Sequence, residues 1–196
     1  ISAVYYNNLI NYNTNIMSKA LLIIDIQNDY FKGGTMELHG SEEASIATKA
    51  IIDKFRTNNL PIFFIMHIAN TDSSFFKPNT FGVEINENIK PLKNEVIITK
   101  QYPNSFRDTE LLSILKKHNI KELVICGMMT HMCVDTTVRA AYDLGYNITL
   151  INDACATKSQ EFNSIVIAPD MVQASFMAAI DGTFAKVMNS GDFLNS

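Results

Sequence analysis

Three residues, far apart in the chain, have the types needed to cleave a small carbonyl compound. They are Asp25 in "IIDIQNDYF", Lys100 in "IITKQYPNSF" and Cys133 in "GMMTHMCVDTT". The thiolate is the nucleophilic form of cysteine, and a free cysteine is mostly protonated at neutral pH. A helix N-terminus and a nearby ammonium group both favour the anion. A carboxylate within reach accepts the thiol proton and returns it to a leaving amine, and the lysine keeps that carboxylate ionised. The loop before Cys133 can aim backbone N–H groups at a carbonyl oxygen, an arrangement whose loss costs about 10²–10³ in rate.

Each residue alone has a plainer reading: Asp25 as a loop-capping carboxylate, Lys100 as a solvated lysine, Cys133 as a small buried hydrophobe. Together, each just past an apolar run, they argue for chemistry. Cys126 and Cys155 keep the packing reading.

Residues so scattered meet only if the chain builds a sheet that collects its strand ends. Short apolar runs at 20–25, 61–66, 95–99, 122–126 and 147–151, with a sixth at 183–188, read as strands buried on both faces. Between them run helical patterns. One is capped by Ser41, with Ile46, Ala47, Ala50, Ile51 and Phe55 on one face. A second is capped by Asp108 and runs through about His118, with Leu111, Leu112 and Leu115 inward. A third runs from Cys133 to Leu144, with Val134, Val138 and Ala141 on one side and Gly145 as its stop. A fourth is opened by Asp170 and carries Val172, Phe176 and Ala179. The expected fold is α/β, three-layer and Rossmann-like: a mostly parallel six-stranded sheet with helices on both faces. Such sheets bind ligands beyond the carboxyl ends of their strands, where the three residues fall.

The composition suits this. At 196 residues, 47% hydrophobic and 18% charged, the chain fits one domain with a sizeable core. A net charge of −4, with scattered basic residues, argues against a nucleic-acid or anionic-membrane partner. No apolar run approaches the ~18 residues of a membrane span. Three cysteines make no disulfide framework and point to a reducing cytoplasm. Residues 1–16, "ISAVYYNNLINYNTNI", carry no charge and no clear period. They are expected to be an extension without function, with residues 17–196 as the single domain.

The segments "LLIIDIQNDYF", "ITKQYPNSF" and "VICGMMTHMCVDTTVRAAYDLGY" resemble the three signature segments of the isochorismatase-like cysteine hydrolases. That superfamily includes nicotinamidases, N-carbamoylsarcosine amidohydrolase, ureidoacrylate amidohydrolases and streptothricin hydrolase. The resemblance extends over nearly the whole chain from Met17, including "INDACAT" and "VQASFMAAIDGTFAKV". It implies a catalytic triad of Asp25, Lys100 and Cys133, and a non-proline cis peptide between Met128 and Met129. It also implies oxyanion donors at the Met129 and Cys133 N–H groups. The implied reaction is cleavage of a carbon–nitrogen bond in a small amide through a Cys133 thioester, without an organic cofactor. A homo-oligomer, dimer or tetramer, is implied as well.

The sequence departs from the metal-binding nicotinamidases. His67 stands alone after the second strand, Asp72 lacks a histidine partner, and His39, His118 and His131 form no ligand set. No metal is expected, and nicotinamide is not favoured as substrate. His67 reads as a core or pocket-edge histidine with one hydrogen-bond partner. True isochorismatases cleave a vinyl ether without a nucleophilic cysteine, so Cys133 favours the amide-cleaving branch. The alternatives are vinyl-ether hydrolysis led by Asp25, a catalytically silent binding homologue and, last, a thiol redox sensor. Aromatic residues expected to wall the pocket are Phe31, Phe75 or Phe76, Tyr102 and Phe106. His131 either bonds a substrate or faces solvent. Gln27, Asn28 and Asp29 are expected to shape the first loop through backbone hydrogen bonds.

Overall fold

A computed structural model describes residues 18–196. The expectation for residues 1–16 lies outside the described residues. In chain order the elements are β1 (Lys19–Ile24), α1 (Ser41–Thr57), β2 (Ile62–His67), β3 (Val96–Lys100), α2 (Leu111–Lys117), β4 (Glu122–Met128), α3 (Asp135–Asp143), β5 (Asn147–Ala156), β6 (Gln160–Phe162), β7 (Ile165–Ile167), α4 (Pro169–Ile180), β8 (Lys186–Met188) and α5 (Ser190–Leu194).

Six strands form one sheet in the order β3-β2-β1-β4-β5-β8, and every neighbouring pair is parallel. The chain builds outward from β1 through β2 to β3, then crosses back to lay β4 on the other side of β1. That reversal leaves a crevice beyond the carboxyl ends of β1 and β4.

The β1 run "ALLII" is apolar throughout because both of its faces are covered. Leu21 and Ile23 pack with Ile51, Ile52 and Phe55 of α1 and Phe193 of α5. Leu22 and Ile24 pack on the opposite side with Leu111 and Leu115 of α2, Val138 and Ala141 of α3, and Met177 and Ile180 of α4. Each such buried side chain contributes about 1.5–3 kcal/mol. The edge strand β3 alternates instead, with Ile97 47% exposed.

Several local expectations need correction. The N-cap of α1 is Gly40, in the left-handed region (φ 76), and Ser41 is already helical. Ile46 is 65% exposed, and the buried stripe runs through Ala44, Ser45, Thr48, Ile51, Ile52 and Phe55. α2 starts at Leu111 rather than after Asp108, whose backbone is left-handed (φ 54). The turn containing Cys133 is a π-helical turn, Thr130–Val134, and regular helix begins only at Asp135. α4 buries Val172, Met177 and Ile180; Phe176 is half-buried and Ala179 exposed. β5 continues to Ala156, taking "DACA" into the sheet, with a register shift against β4 between Ile125 and Gly127. The β6–β7 hairpin and α5 were not foreseen. Among the described residues no helix is long and apolar enough to cross a membrane.

Candidate active site

Asp25 stands one residue past β1 and is completely buried, with a left-handed backbone (φ 51). Its N–H donates to the Ile65 carbonyl at the end of β2 (3.1 Å), which fixes the carboxylate over the sheet edge. Beside it, Gly127 of β4 adopts φ 137, and a Cβ there would lie 2.1 Å from the Ile24 carbonyl oxygen. Only glycine lets β4 pass this close to the end of β1. That passage delivers the turn carrying Cys133, which is 6% exposed.

Lys100 is the last residue of β3 and pairs in register with His67 of β2. Its side chain reaches across the end of β2. Nζ lies 2.7 Å from Asp25 Oδ2, 3.2 Å from Cys133 Sγ, 3.1 Å from His67 Nδ1 and 3.1 Å from the Tyr102 carbonyl oxygen. Three ammonium protons cannot point straight at four partners. The Asp25 contact is close but off line, and neither carboxylate oxygen has an aligned hydrogen bond. A buried carboxylate left this way has oxygens open to a new donor.

The electrostatics follow from that crowding. Burial first, then the Asp25 carboxylate, push the Cys133 thiol well up, and Lys100 opposes them only in part. The resting group at neutral pH is therefore the thiol. The expected pull of an ammonium group toward the anion is present, but desolvation and the carboxylate outweigh it. Burial alone would pull the Lys100 ammonium down, but Asp25 and Cys133 together raise it, so it keeps its charge. Burial and the Lys100 charge push His67 below its usual value of 6.5. A neutral imidazole accepts the Lys100 proton at Nδ1, since the ammonium has no lone pair, and so carries its own proton on Nε2.

The donor atoms of Asp25, His67 and Cys133 lie within 4.8 Å of one another, a set that could hold a metal ion. The Lys100 ammonium sits within 2.7–3.2 Å of all three and already supplies a positive charge at their centre. A metal would have to displace it.

The first loop is held from a distance. Gln27 clamps the His67 backbone, accepting from its N–H (2.8 Å) and donating to its carbonyl (2.9 Å), and also donates to Val83 O (2.7 Å). Asn28 donates to Phe81 O (3.0 Å), and Asp29 accepts from the N–H groups of Phe76 (2.6 Å) and Thr35 (3.3 Å). These residues do shape the loop by backbone hydrogen bonds, mostly to the crossover between β2 and β3. On the other side, Thr137 of α3 accepts from the Ser105 N–H (3.1 Å), tying the segment after Lys100 to the helix after Cys133.

The expected pocket residues separate. Phe31 and Phe75 line a cavity of about 520 Å³ beside the first loop, whose lining includes none of Asp25, Lys100 and Cys133. Phe76 is fully buried and backs the site, with its ring 4.6 Å from that of Tyr30 and 5.9 Å from that of His67. Tyr102 shares a cavity of about 230 Å³ with Lys100, Ile68, Thr99 and Asp108. Phe106 lies with the α2–α3 side of the core, facing Tyr146 at 6.3 Å, and lines neither cavity. His131 is half-buried, with Nδ1 2.6 Å from Thr157 Oγ1 and its ring against Phe176. The Met128–Met129 peptide is cis, and the Met129 carbonyl accepts from Met132 (3.0 Å) and Val134 (3.2 Å). Sequence reasoning missed Tyr30. It is 1% exposed, and its hydroxyl is pushed up by burial and by the charges at Cys133, Asp25 and Asp29.

This constellation at the strand ends has counterparts. The sequence profile of the Isochorismatase domain matches residues 19–189. The chain belongs to the isochorismatase family. It is 44% identical over 179 residues to YddQ, an isochorismatase family protein of Bacillus subtilis, covering 91% of this chain and 99% of that one. The crystal structure of an isochorismatase hydrolase from Oleispira antarctica superposes with a TM-score of 0.89 at 39% identity, over 91% of this chain and 97% of that one. A streptothricin hydrolase of Streptomyces noursei is 28% identical, over 78% of this chain and 53% of its own length. The protein is thus a hydrolase of this family, and amidases stand among the related proteins.

Proposed function

We propose that the protein hydrolyses a carbon–nitrogen bond of a small amide through a thioester on Cys133. The observation that carries this reading is the single ammonium of Lys100 lying 2.7 Å from the Asp25 carboxylate and 3.2 Å from Cys133 Sγ. The Asp25 oxygens, without aligned hydrogen bonds, are ready to accept a proton. Cys133 Sγ attacks the carbonyl carbon as its proton passes to Asp25. The oxyanion is met by the N–H groups of Met129 and Cys133 at the mouth of the turn. Collapse breaks the C–N bond, and Asp25 returns the proton to the departing amine. Water, deprotonated by Asp25, then opens the thioester and restores the thiol. Lys100, in contact with both groups, steadies the sulfur as negative charge develops there.

The test is ammonia or amine release across a panel of small primary amides and N-carbamoyl compounds, with wild type and Cys133→Ala. Turnover that falls by about 10⁴-fold or more in a folded variant supports the reading. Retained turnover overturns it. Pyruvate release from isochorismate that survives Cys133→Ala would put vinyl-ether hydrolysis in its place.

A further inference from the structure

The turn that carries Cys133, Thr130–Val134, receives no side-chain hydrogen bond from its N-cap residue, Met129. A side-chain anchor comes instead from α4, which packs against it. Thr130 is fully buried at the start of the turn. Its hydroxyl lies 2.6 Å from Gln173 Oε1 and 3.2 Å from the Ala156 carbonyl oxygen. Both neighbours accept and the hydroxyl has one proton, so the shorter contact takes it.

The Gln173 amide is not free to turn round. Its Nε2 lies 3.0 Å from the Asn152 carbonyl oxygen and 3.2 Å from Asn152 Oδ1. Those oxygens only accept, so the amide oxygen must face Thr130. Asn152 is fixed in turn, its Nδ2 donating to Asn189 Oδ1 (3.2 Å) at the N-cap of α5. A line of amides thus runs from the start of α5, through β5 and α4, to the turn.

Lys100 reaches the site from the β3 edge of the sheet, whereas this line arrives from the β5 side. Lys100 touches the sulfur. Gln173 instead holds the residue that directly follows Met129 and stands three before Cys133. The Met129 carbonyl accepts from the N–H groups of Met132 (3.0 Å) and Val134 (3.2 Å), so a shift at Thr130 carries Met129 and the rest of the turn with it.

We propose that Gln173 is a positioning residue: by accepting the Thr130 proton it aims the Met129 and Cys133 N–H groups at the oxyanion, without touching substrate. The inference rests on the thioester reading above. Oxyanion donors act through their placement, and a misplacement of about 1 Å costs up to ~10²-fold in rate.

Two reagents separate aim from access. p-Nitrophenyl acetate acylates a thiol through a tetrahedral oxyanion and releases p-nitrophenolate as the thioester forms. Iodoacetamide alkylates the same sulfur by displacing iodide, with no oxyanion. Acylation is read as the p-nitrophenolate release that Cys133→Ala abolishes, and alkylation as labelled Cys133 peptide. The proteins compared are wild type, Gln173→Met, which keeps the length but offers no oxygen, and Gln173→Glu, which keeps an acceptor for Thr130. The expected result is acylation about 10–100-fold slower in Gln173→Met, unchanged alkylation, and acylation largely restored in Gln173→Glu. Equal slowing of both reactions in Gln173→Met, slowing of neither, or a Glu variant as slow as the Met variant overturns the proposal. Should Gln173→Met not fold, Gln173→Ala is read in its place, since the side chain is half-buried beside an open cavity and can be shortened there. A wild-type Cys133 that is alkylated but never acylated refutes the thioester reading, and this inference with it. A wild type that is acylated, with an unaffected Gln173→Met, refutes this inference alone.

Discussion

β4 and the turn beyond it carry two thiols seven residues apart that differ in almost everything except burial. Cys126 lies inside β4, 0% exposed, with Thr48 Oγ1 at 3.7 Å as its polar neighbour, and burial pushes its thiol up to about 12. Cys133 lies past the strand end, where burial again pushes the thiol up but a carboxylate and an ammonium converge on the sulfur. Burial alone makes a thiol inert. What makes Cys133 a candidate nucleophile is that its proton has somewhere to go, and that a cation waits for the charge left behind. Both thiols are protonated at neutral pH; only one has neighbours that make the proton movable.

The largest expected effect separates the two directly. Cys133→Ala abolishes hydrolysis, by about 10⁴-fold or more, at nearly unchanged stability. Cys126→Ala leaves turnover within a few-fold and costs about 1 kcal/mol in urea unfolding, from the small cavity it opens. Next comes Lys100→Met, which leaves Asp25 as a buried carboxylate without its counter-ion. It should lose turnover and about 3–5 kcal/mol of stability, read in the same urea titration. A stable Lys100→Met protein would mean that the ion pair is not the organising charge of the site.

His67 sharpens the comparison more gently, by asking what holds the ammonium in place. Its imidazole is neutral because burial and Lys100 lower its pKa from 6.5. A lowered pKa means protonation only at still more acid pH, and the imidazolium would then face Lys100. Wild-type turnover should therefore fall as pH drops below 6.5 through the depressed value. His67→Asn keeps an acceptor near the Nδ1 position but cannot titrate, so its pH–rate profile should lose that acid limb with a modest change at neutral pH. An unchanged limb would assign the acid titration to another group.

The layers and the three central residues were legible for a physical reason. Parallel strands buried on both faces write themselves as unbroken apolar runs, and chemistry collects at their ends. The rest depended on register or on weak local signals. His67 matters because β2 and β3 pair His67 with Lys100, and nothing in "FFIMH" announces a partner 33 residues away. The hairpin is too short for a period, and its turn uses Asn-Ser where glycine would have marked it. The π-helical turn at Cys133 reads in sequence like the first turn of an ordinary helix. The protonation of Cys133 turns first on its burial and then on how close Asp25 stands, which only the folded chain fixes.

The most direct test of this account is the rate of iodoacetamide labelling at each cysteine across pH, in wild type and in Asp25→Asn, mapped by peptide mass. With the carboxylate removed, Lys100 acts on the sulfur unopposed. Cys133 should then label at distinctly lower pH than in wild type, although Asp25→Asn no longer hydrolyses substrate, and Cys126 should not respond. If Cys133 labels no more readily in Asp25→Asn than in wild type, or simply tracks Cys126, then Asp25 and Lys100 do not govern its proton and the account of the site is wrong.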